Sequence, residues 1–314
     1  MAQSEHLPRG ALPTLRQLQF LAALQVHGSF VRAADAVGVT QPTLSAGIKE
    51  LEAVLGVSLV DRARGAALTP AGEEAAERAG RILSETEELV RALQDSAGPL
   101  IGPFRLGAIP TIAPFLLPRA LPALREAYPD LRLLLREDVS SRLIEQLRSR
   151  ALDAAIIAVP YDAPGIEVEI IGDDEFLLCA PKGHPLALRN DLSPDDLRGE
   201  AVLVLDDGHC LRDHALRLCQ TPPGRQAADV SATSLHTLVQ MVAGGMGVTL
   251  LPKLASEGGA AAGAPIEVRP FSEPVIGRSI GIAWRSGSPR AAEARLLALV
   301  LKATFTAGPA NPAR

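Results

Sequence analysis

Gly28-Ser29-Phe30-Val31-Arg32-Ala33-Ala34-Asp35-Ala36-Val37-Gly38-Val39-Thr40-Gln41-Pro42-Thr43-Leu44-Ser45 holds two helix ends and two helix starts in one short stretch. Gly28 closes a preceding helix whose apolar face is Leu15, Leu18, Leu21 and Leu24, with Phe20 alongside. Ser29 is placed to cap a short helix, Phe30–Ala36, that closes at Gly38. Thr40 caps a third helix, with Pro42 in its first turn, where a missing N–H costs nothing. Leu44, Ile48, Leu51 and Leu55 give that helix its apolar face, and Gly56 ends it. Helix, three-residue turn, helix is the geometry that lays a second helix in the DNA major groove. The other face of that helix carries Gln41, Thr43, Ser45 and Lys49, side chains suited to base edges and phosphates. Arg62 and Arg64 follow in a turn-rich stretch placed to form a wing. Arg9 to Arg64 carries six Lys/Arg and four Asp/Glu, a net of +2. The basic patch is modest, and a plain three-helix core without a DNA role fits these residues too.

Composition narrows the class. The chain has 314 residues and 33.0 kDa, enough for two or three domains. It is 47% hydrophobic and 21% charged, which excludes wholesale disorder. Apolar runs such as Ala201-Val202-Leu203-Val204-Leu205 fall far short of the ~18 residues of a membrane span. The N-terminal residues show no secretory signal. Three cysteines are too few for a disulfide scaffold, so a reducing cytoplasm is expected. A net charge of −5 gives no hint of nucleic acid, which rests on local features alone.

From Thr69 and Pro70 onward a long helix is expected, with Glu73 and Glu74 at its positive end. Ala75, Ala79, Ile82, Thr86, Leu89 and Leu93 alternate three and four apart, a coiled-coil seam; the competing reading is a surface helix packed on its own domain. Gly98, Pro99, Gly102 and Pro103 mark a boundary. Beyond it, strands (104–109, 131–136, 153–159) alternate with helices (114–127, 140–148), which implies a parallel sheet with crossovers. A second such set spans about Phe176 to Val268. A return strand near Ser279–Trp284 and a last helix, 290–305, rejoin the first. The expected fold is two α/β lobes around a cleft, like that of periplasmic binding proteins.

Cys210 and Cys219 lie nine positions apart in Gly208-His209-Cys210-Leu211-Arg212-Asp213-His214-Ala215-Leu216-Arg217-Leu218-Cys219. If a helix starts near Cys210, its dipole, His209 and Arg212 favour the thiolate, which attacks peroxide to give sulfenic acid. Cys219 then lies about 13.5 Å further along and on the opposite face, at ~1.5 Å per residue and 3.6 residues per turn. A disulfide needs Cα atoms within roughly 7 Å, so closing one requires unwinding the helix. Three other readings stay open on these residues alone. The pair can be unreactive cysteines, part of a metal site, or the thiols of a peroxidase. Only Cys210 and His214 converge, too few for zinc, so no metal or cofactor is expected. Cys179, in Phe176-Leu177-Leu178-Cys179-Ala180, reads as a core strand residue.

The matches Leu15-Arg16-Gln17-Leu18-Gln19-Phe20, Gly28-Ser29-Phe30, Ala33-Ala34, Gln41-Pro42-Thr43-Leu44-Ser45, Leu51-Glu52, Leu55-Gly56 and Leu68-Thr69-Pro70-Ala71-Gly72 closely resemble the winged helix-turn-helix of LysR-type transcriptional regulators. The wing, Arg64-Gly65-Ala66-Ala67, is less basic than is usual there. The Gly208–Asp213 segment with Cys219 resembles the peroxide-sensing segment of some members of that family. Ile109–Pro118 and Arg278–Ser288 resemble their first effector strand and a late strand. The resemblance implies Cys210 as the peroxidatic and Cys219 as the resolving cysteine. It implies that Thr111 and His209 position hydrogen peroxide, and that Arg278 stabilises the thiolate. Ser140 stands where relatives usually carry threonine and keeps the hydroxyl.

The expected division is residues 1–70 as the DNA-binding domain, 71–98 as a dimerising linker helix, and 103–304 as the two-lobed domain. Lobe I would be about 103–173 with 275–304, and lobe II about 174–274. Arg32, Gln41, Pro42, Thr43, Ser45, Lys49, Arg62 and Arg64 are the expected contacts to a double-stranded DNA operator. The resemblance further implies a homodimer or homotetramer and contact with RNA polymerase; no membrane partner and no enzymatic turnover are expected. Two alternatives compete: a LysR regulator answering a small organic ligand in the cleft, with the cysteines incidental, and a stand-alone thiol peroxidase. A solute-binding protein is disfavoured by the N-terminal helices.

Overall fold

The computed structural model describes residues 12–61, 65–93, 98–161, 163–208, 210–212, 231–272 and 275–307. The chain divides near residue 96 into two compact units.

The first unit holds α1 (Leu15–His27), α2 (Phe30–Ala36), α3 (Gln41–Leu55), strands β1 (Val60–Asp61) and β2 (Ala67–Leu68), and α4 (Pro70–Leu93). Helix starts and stops follow local chemistry. Thr14 caps α1 in a reciprocal box with Gln17, a start that the apolar periodicity alone did not reveal. Gly28 ends α1 in the left-handed conformation, φ 57°, and Gly56 ends α3 likewise, φ 70°. The Thr40 hydroxyl accepts from the Thr43 N–H. Ser29 departs from expectation: it sits at the N-cap of α2, but its side chain makes no capping bond. Leu18, Phe20, Leu21, Leu24, Leu44, Ile48 and Leu51 form the core of this unit. Leu15 and Leu55, expected on the buried faces, are exposed because each lies at a helix end, beyond the core's reach. Gly47 is buried on α3 because a Cβ there would meet the Phe20 ring at 2.5 Å. β1 and β2 pair antiparallel, so the wing is present.

The Thr69 hydroxyl accepts from the Gly72 N–H and starts α4. The 24-residue helix divides its faces. Ala76 and Ala79 are buried in the first unit's own core, and Ala75 and Leu83 pack against it. Ile82, Leu89 and Val90 are exposed. The N-terminal part therefore packs on its own domain, while an apolar stripe stays uncovered further along.

The second unit contains β3 (Gly102–Ala108), α5 (Ala113–Ala127), β4 (Leu131–Glu137), α6 (Ser140–Arg148), β5 (Ala154–Val159) and the 16-residue β6 (Ile166–Pro181). Then come β7 (Val204–Leu205), β8 (Ser231–Ala232), α7 (Leu235–Ala243), β9 (Thr249–Pro252), α8 (Lys253–Glu257), β10 (Ile266–Pro270), β11 (Gly277–Arg285) and α9 (Ala291–Thr306). β4, β3 and β5 are parallel neighbours, as the alternating pattern predicts. β5 is buried almost throughout, which explains its unbroken Ala-Ala-Ile-Ile-Ala-Val run. β11 inserts antiparallel between β5 and β6.

The second lobe differs from the repeated parallel set expected. β9 and β10 both pair antiparallel with β6, and only the short β7–β8 pair there is parallel. The physical reason is β6 itself: one strand long enough to serve both lobes makes a single seven-stranded sheet, in the order β10-β6-β11-β5-β3-β4 with β9 also on β6. Two apolar cores lie along it. One gathers Phe104, Leu106, Leu116, Leu143, Ile156, Ile282, Trp284 and Leu297; the other gathers Phe176, Leu178, Leu203, Leu238, Val242, Leu250 and Leu251. No helix among the described residues is long and apolar enough to cross a membrane.

Candidate functional site

β3 lies between β4 and β5, so the β3–β4 and β4–β5 crossovers run in opposite directions across the sheet. That is a topological switch point, where open α/β sheets form a crevice. Thr111 follows β3 at this edge. Ile109 fixes the turn, its N–H donating to Ile156 and its carbonyl accepting from Ile112 and Ala113. Ser140 follows β4 at the same edge, as the first residue of α6. Arg278 enters from β11, one position before β11 begins pairing with the end of β5 at Ser279–Val159. Three polar residues far apart in sequence therefore share one end of the sheet.

Thr111, Ser140 and Arg278 are all buried. The Arg278 guanidinium is held from two sides. Its Nη1 donates to the Thr111 hydroxyl at 2.7 Å and its Nη2 to the Thr111 carbonyl at 3.1 Å. On the other side, Nε and Nη2 donate to one Asp174 oxygen at 3.1 and 2.9 Å. The second Asp174 oxygen accepts from the Leu254 N–H at the start of α8. Neither charged side chain of the Arg278–Asp174 pair reaches solvent. Such a pair repays its desolvation only with further hydrogen bonds, which Thr111 and the Leu254 N–H supply here. Thr111 is not a helix cap, since α5 starts without a side-chain capping bond. The Ser140 hydroxyl is buried with no hydrogen-bond partner. A donor in that condition is costly unless something else accepts from it.

The cysteine segment lies against this edge. Gly208, at φ 93°, has Val139 within 3.6 Å of where a Cβ would stand, next to Ser140. Cys210, Leu211 and Arg212 are helical, and the half-buried Cys210 packs against the core of the first lobe. Cys210 and Cys179 are thiols. Arg212 is engaged locally, with Nε 3.1 Å from Asp207 and Nη1 donating to the Leu205 carbonyl, so its charge is already balanced within its own turn. Cys179 is fully buried on β6, and burial pushes its thiol up to about 12. It is protonated and unreactive at neutral pH, as a core strand residue should be. His209 and Cys219 lie outside the described residues.

Asp174 was absent from the residues singled out by sequence. It is one of several acidic residues in Asp173-Asp174-Glu175, and nothing local separates it from its neighbours. The β6–β11 register does, pairing Arg278 directly with Asp174.

On α3, Gln41, Pro42, Thr43 and Lys49 are exposed and Ser45 is half-buried. Arg32 on α2 is exposed too. The Thr43 hydroxyl lies 2.8 Å from that of Thr40, so capping already engages it. Arg62 and Arg64, at the wing, lie outside the described residues. Among those described, no group of three or more His, Cys, Asp or Glu could hold a metal ion.

A winged helix-turn-helix on one unit and a two-lobed α/β domain with a buried polar crevice on the other define a DNA-binding regulator with a sensing domain. Residues 15–73 match the helix-turn-helix model of bacterial regulatory proteins of the lysR family, and residues 97–306 match the LysR substrate binding domain. The chain belongs to the LysR family. It is 40% identical over 292 residues to a "Probable hydrogen peroxide-inducible genes activator" of Streptomyces viridosporus, covering 92% of this chain and 94% of that protein. It is 38% identical over 291 residues to the DNA-binding transcriptional dual regulator OxyR of Escherichia coli K12, covering 92% and 95%. Its fold is similar to that of a full-length OxyR cysteine-to-aspartate variant from Pseudomonas aeruginosa. There the TM-score is 0.76 and the identity 35%, with 93% of this chain and 98% of the other covered.

Proposed function

We propose that this chain is a hydrogen-peroxide-responsive transcription activator of the OxyR kind, switched by its own cysteines. One observation carries the reading. Arg278, clamped by Thr111 and Asp174, and the unpartnered Ser140 hydroxyl lie buried at the sheet edge against which the Cys210 segment packs. A small polar molecule entering there meets donors already fixed in place, without reorganisation at the moment of reaction.

In this mechanism the Cys210 thiolate attacks one oxygen of peroxide. The O–O bond breaks, sulfur becomes sulfenic acid, and the departing hydroxide takes up a proton to leave as water. Thr111, Ser140 and His209 orient the peroxide. Arg278 stabilises the thiolate and the charge growing on the departing oxygen. The Cys219 thiol then displaces the sulfenic hydroxyl, releasing a second water and closing the disulfide. If the helix begun at Cys210 runs on to Cys219, the pair cannot meet across it, and the segment around residues 205–222 refolds as the disulfide closes.

The remaining assignments complete the reading. Residues 1–70 bind an operator through Arg32, Gln41, Pro42, Thr43, Ser45, Lys49, Arg62 and Arg64. Residues 71–98 dimerise through the stripe containing Ile82 and Leu89. The lobes repack on oxidation within a cytoplasmic homotetramer and reposition the heads, which changes access for RNA polymerase. The protein acts by switching and not by catalytic turnover.

The test is a non-reducing peptide map after brief, near-stoichiometric peroxide, with an operator footprint on the same samples. A rapidly formed Cys210–Cys219 linkage accompanied by a shifted footprint is expected. A Cys210→Ser protein whose footprint still shifts with peroxide would overturn the mechanism.

A further inference from the structure

Away from the sensor crevice, a groove of about 680 Å³ opens where α5, the end of α8 and the last turn of α9 meet. That volume falls within the ~300–1,000 Å³ of small-molecule sites. Pro114, Pro118 and Pro122 recur every fourth residue along α5 and form one wall, with Phe115 beside them. Gly258 belongs to the opposite wall. A Cβ there would meet the Phe115 ring at 2.7 Å, so glycine allows the ring to lie close.

Arg119 also lines this groove and is only half-secured. Its Nη2 donates to the Thr304 carbonyl at 3.2 Å, near the end of α9. Its Nε is buried and has no hydrogen-bond partner. No ion pair involves Arg119 among the described residues. A permanently charged guanidinium with no carboxylate partner among the described residues thus lines an apolar groove, where a carboxylate from outside would balance its charge. Glu257, exposed on the same groove, disfavours a second negative charge on that acceptor.

From this juxtaposition we infer that the groove binds a small monocarboxylate with an apolar body. The carboxylate pairs with the Arg119 guanidinium, and the apolar part lies on the proline wall and Phe115. None of Thr111, Ser140, Arg278 and Cys210 lines the groove, so the inference stands independently of the peroxide reading. A ligand here bridges α5, which follows Thr111, to α8, whose first turn is held by Asp174. It would therefore act as a second input to the same regulatory domain.

The test titrates the reduced full chain with 4-fluorophenylacetate and with its neutral amide, 4-fluorophenylacetamide, followed by fluorine NMR. The acid is expected to bind saturably with Kd of about 1 mM or tighter, and the amide at least ~10-fold more weakly. Arg119→Gln is expected to weaken the acid at least ~10-fold by the same reasoning. Ala307→Trp, which fills the rim, should abolish binding, and Cys210→Ser should bind as the parent does. Equal binding of acid and amide, binding retained in both groove variants, or no saturable binding up to ~20 mM would each overturn the inference.

Discussion

Asp174 and Arg278 face each other across β6 and β11, with one carboxylate oxygen accepting from both Nε and Nη2 and neither side chain exposed to solvent. The pair also ties the lobes together. The same guanidinium reaches Thr111 after β3, and the same carboxylate holds the Leu254 N–H in the first turn of α8. Removing one member strands a buried charge. Asp174→Ala is expected to cost about 3–5 kcal/mol in chemical denaturation, the range for breaking a buried pair. Replacing both residues by apolar ones of similar size should cost much less. Equal losses in the single and double variants would contradict a stranded charge as the cause.

Ser140 offers a way to separate stability from sensing. Its hydroxyl is buried without a partner, so Ser140→Ala removes a desolvation cost and should leave stability unchanged or raise it by about 1 kcal/mol. Oxidation of Cys210 by peroxide, followed by stopped flow, should nonetheless slow about tenfold, the effect of losing one hydrogen bond worth about 1.4 kcal/mol in the transition state. An unchanged rate would remove Ser140 from the sensor.

Thr111→Val deletes the hydroxyl that accepts from Arg278 Nη1 while keeping the shape. Arg278 keeps the Thr111 carbonyl and Asp174, so the fold should survive with a loss of about 1–3 kcal/mol. The peroxide reaction should slow by more than in Ser140→Ala, because the guanidinium itself loses one of the groups that fix its position. Stability and rate are read from the same preparation.

Cys179 gives a pH signature. Its thiol is raised from its ordinary value of 9.0 to about 12 by burial, so the folded state binds the proton more tightly than the unfolded state does. The stability this adds is complete below about pH 9 and is lost as pH rises through about 12. The stability difference between the parent and Cys179→Ala should be flat below pH 9. Above that it should shrink by up to about 1.4 kcal/mol per pH unit. Native Cys179 should also resist alkylation at neutral pH.

At the DNA end, Lys49→Ala should weaken operator binding uniformly across sequences and lower the salt slope by about one, as expected for a phosphate contact. Gln41→Ala should instead relax preference at one base pair. Gly72→Ala should impair binding indirectly: a Cβ there would stand 2.0 Å from the Leu59 carbonyl, forcing the wing away from α4.

Much of the first unit was legible because its signals are local. Thr40, Gly28, Gly56 and Thr69 act on backbone groups within four residues of themselves, so reading them needs no tertiary knowledge. The same holds for the alternating β3-α5-β4-α6-β5 order. The second lobe was harder, because an antiparallel partner is chosen by the register of β6 and not by any nearby residue.

By itself, the sequence determined the helix-turn-helix head, the parallel half of the sheet and the candidate Cys210, while Thr111, Ser140 and Arg278 came from the family resemblance. Caps, periodicity and cysteine spacing are properties of short segments. Only the tertiary structure decided that Asp174 holds Arg278 across 104 positions and that the Ser140 hydroxyl is buried alone. The physical reason is the same in each case. Burial and charge pairing depend on which strands lie side by side, and that arrangement is fixed by the whole core and not by any residue's neighbours along the chain.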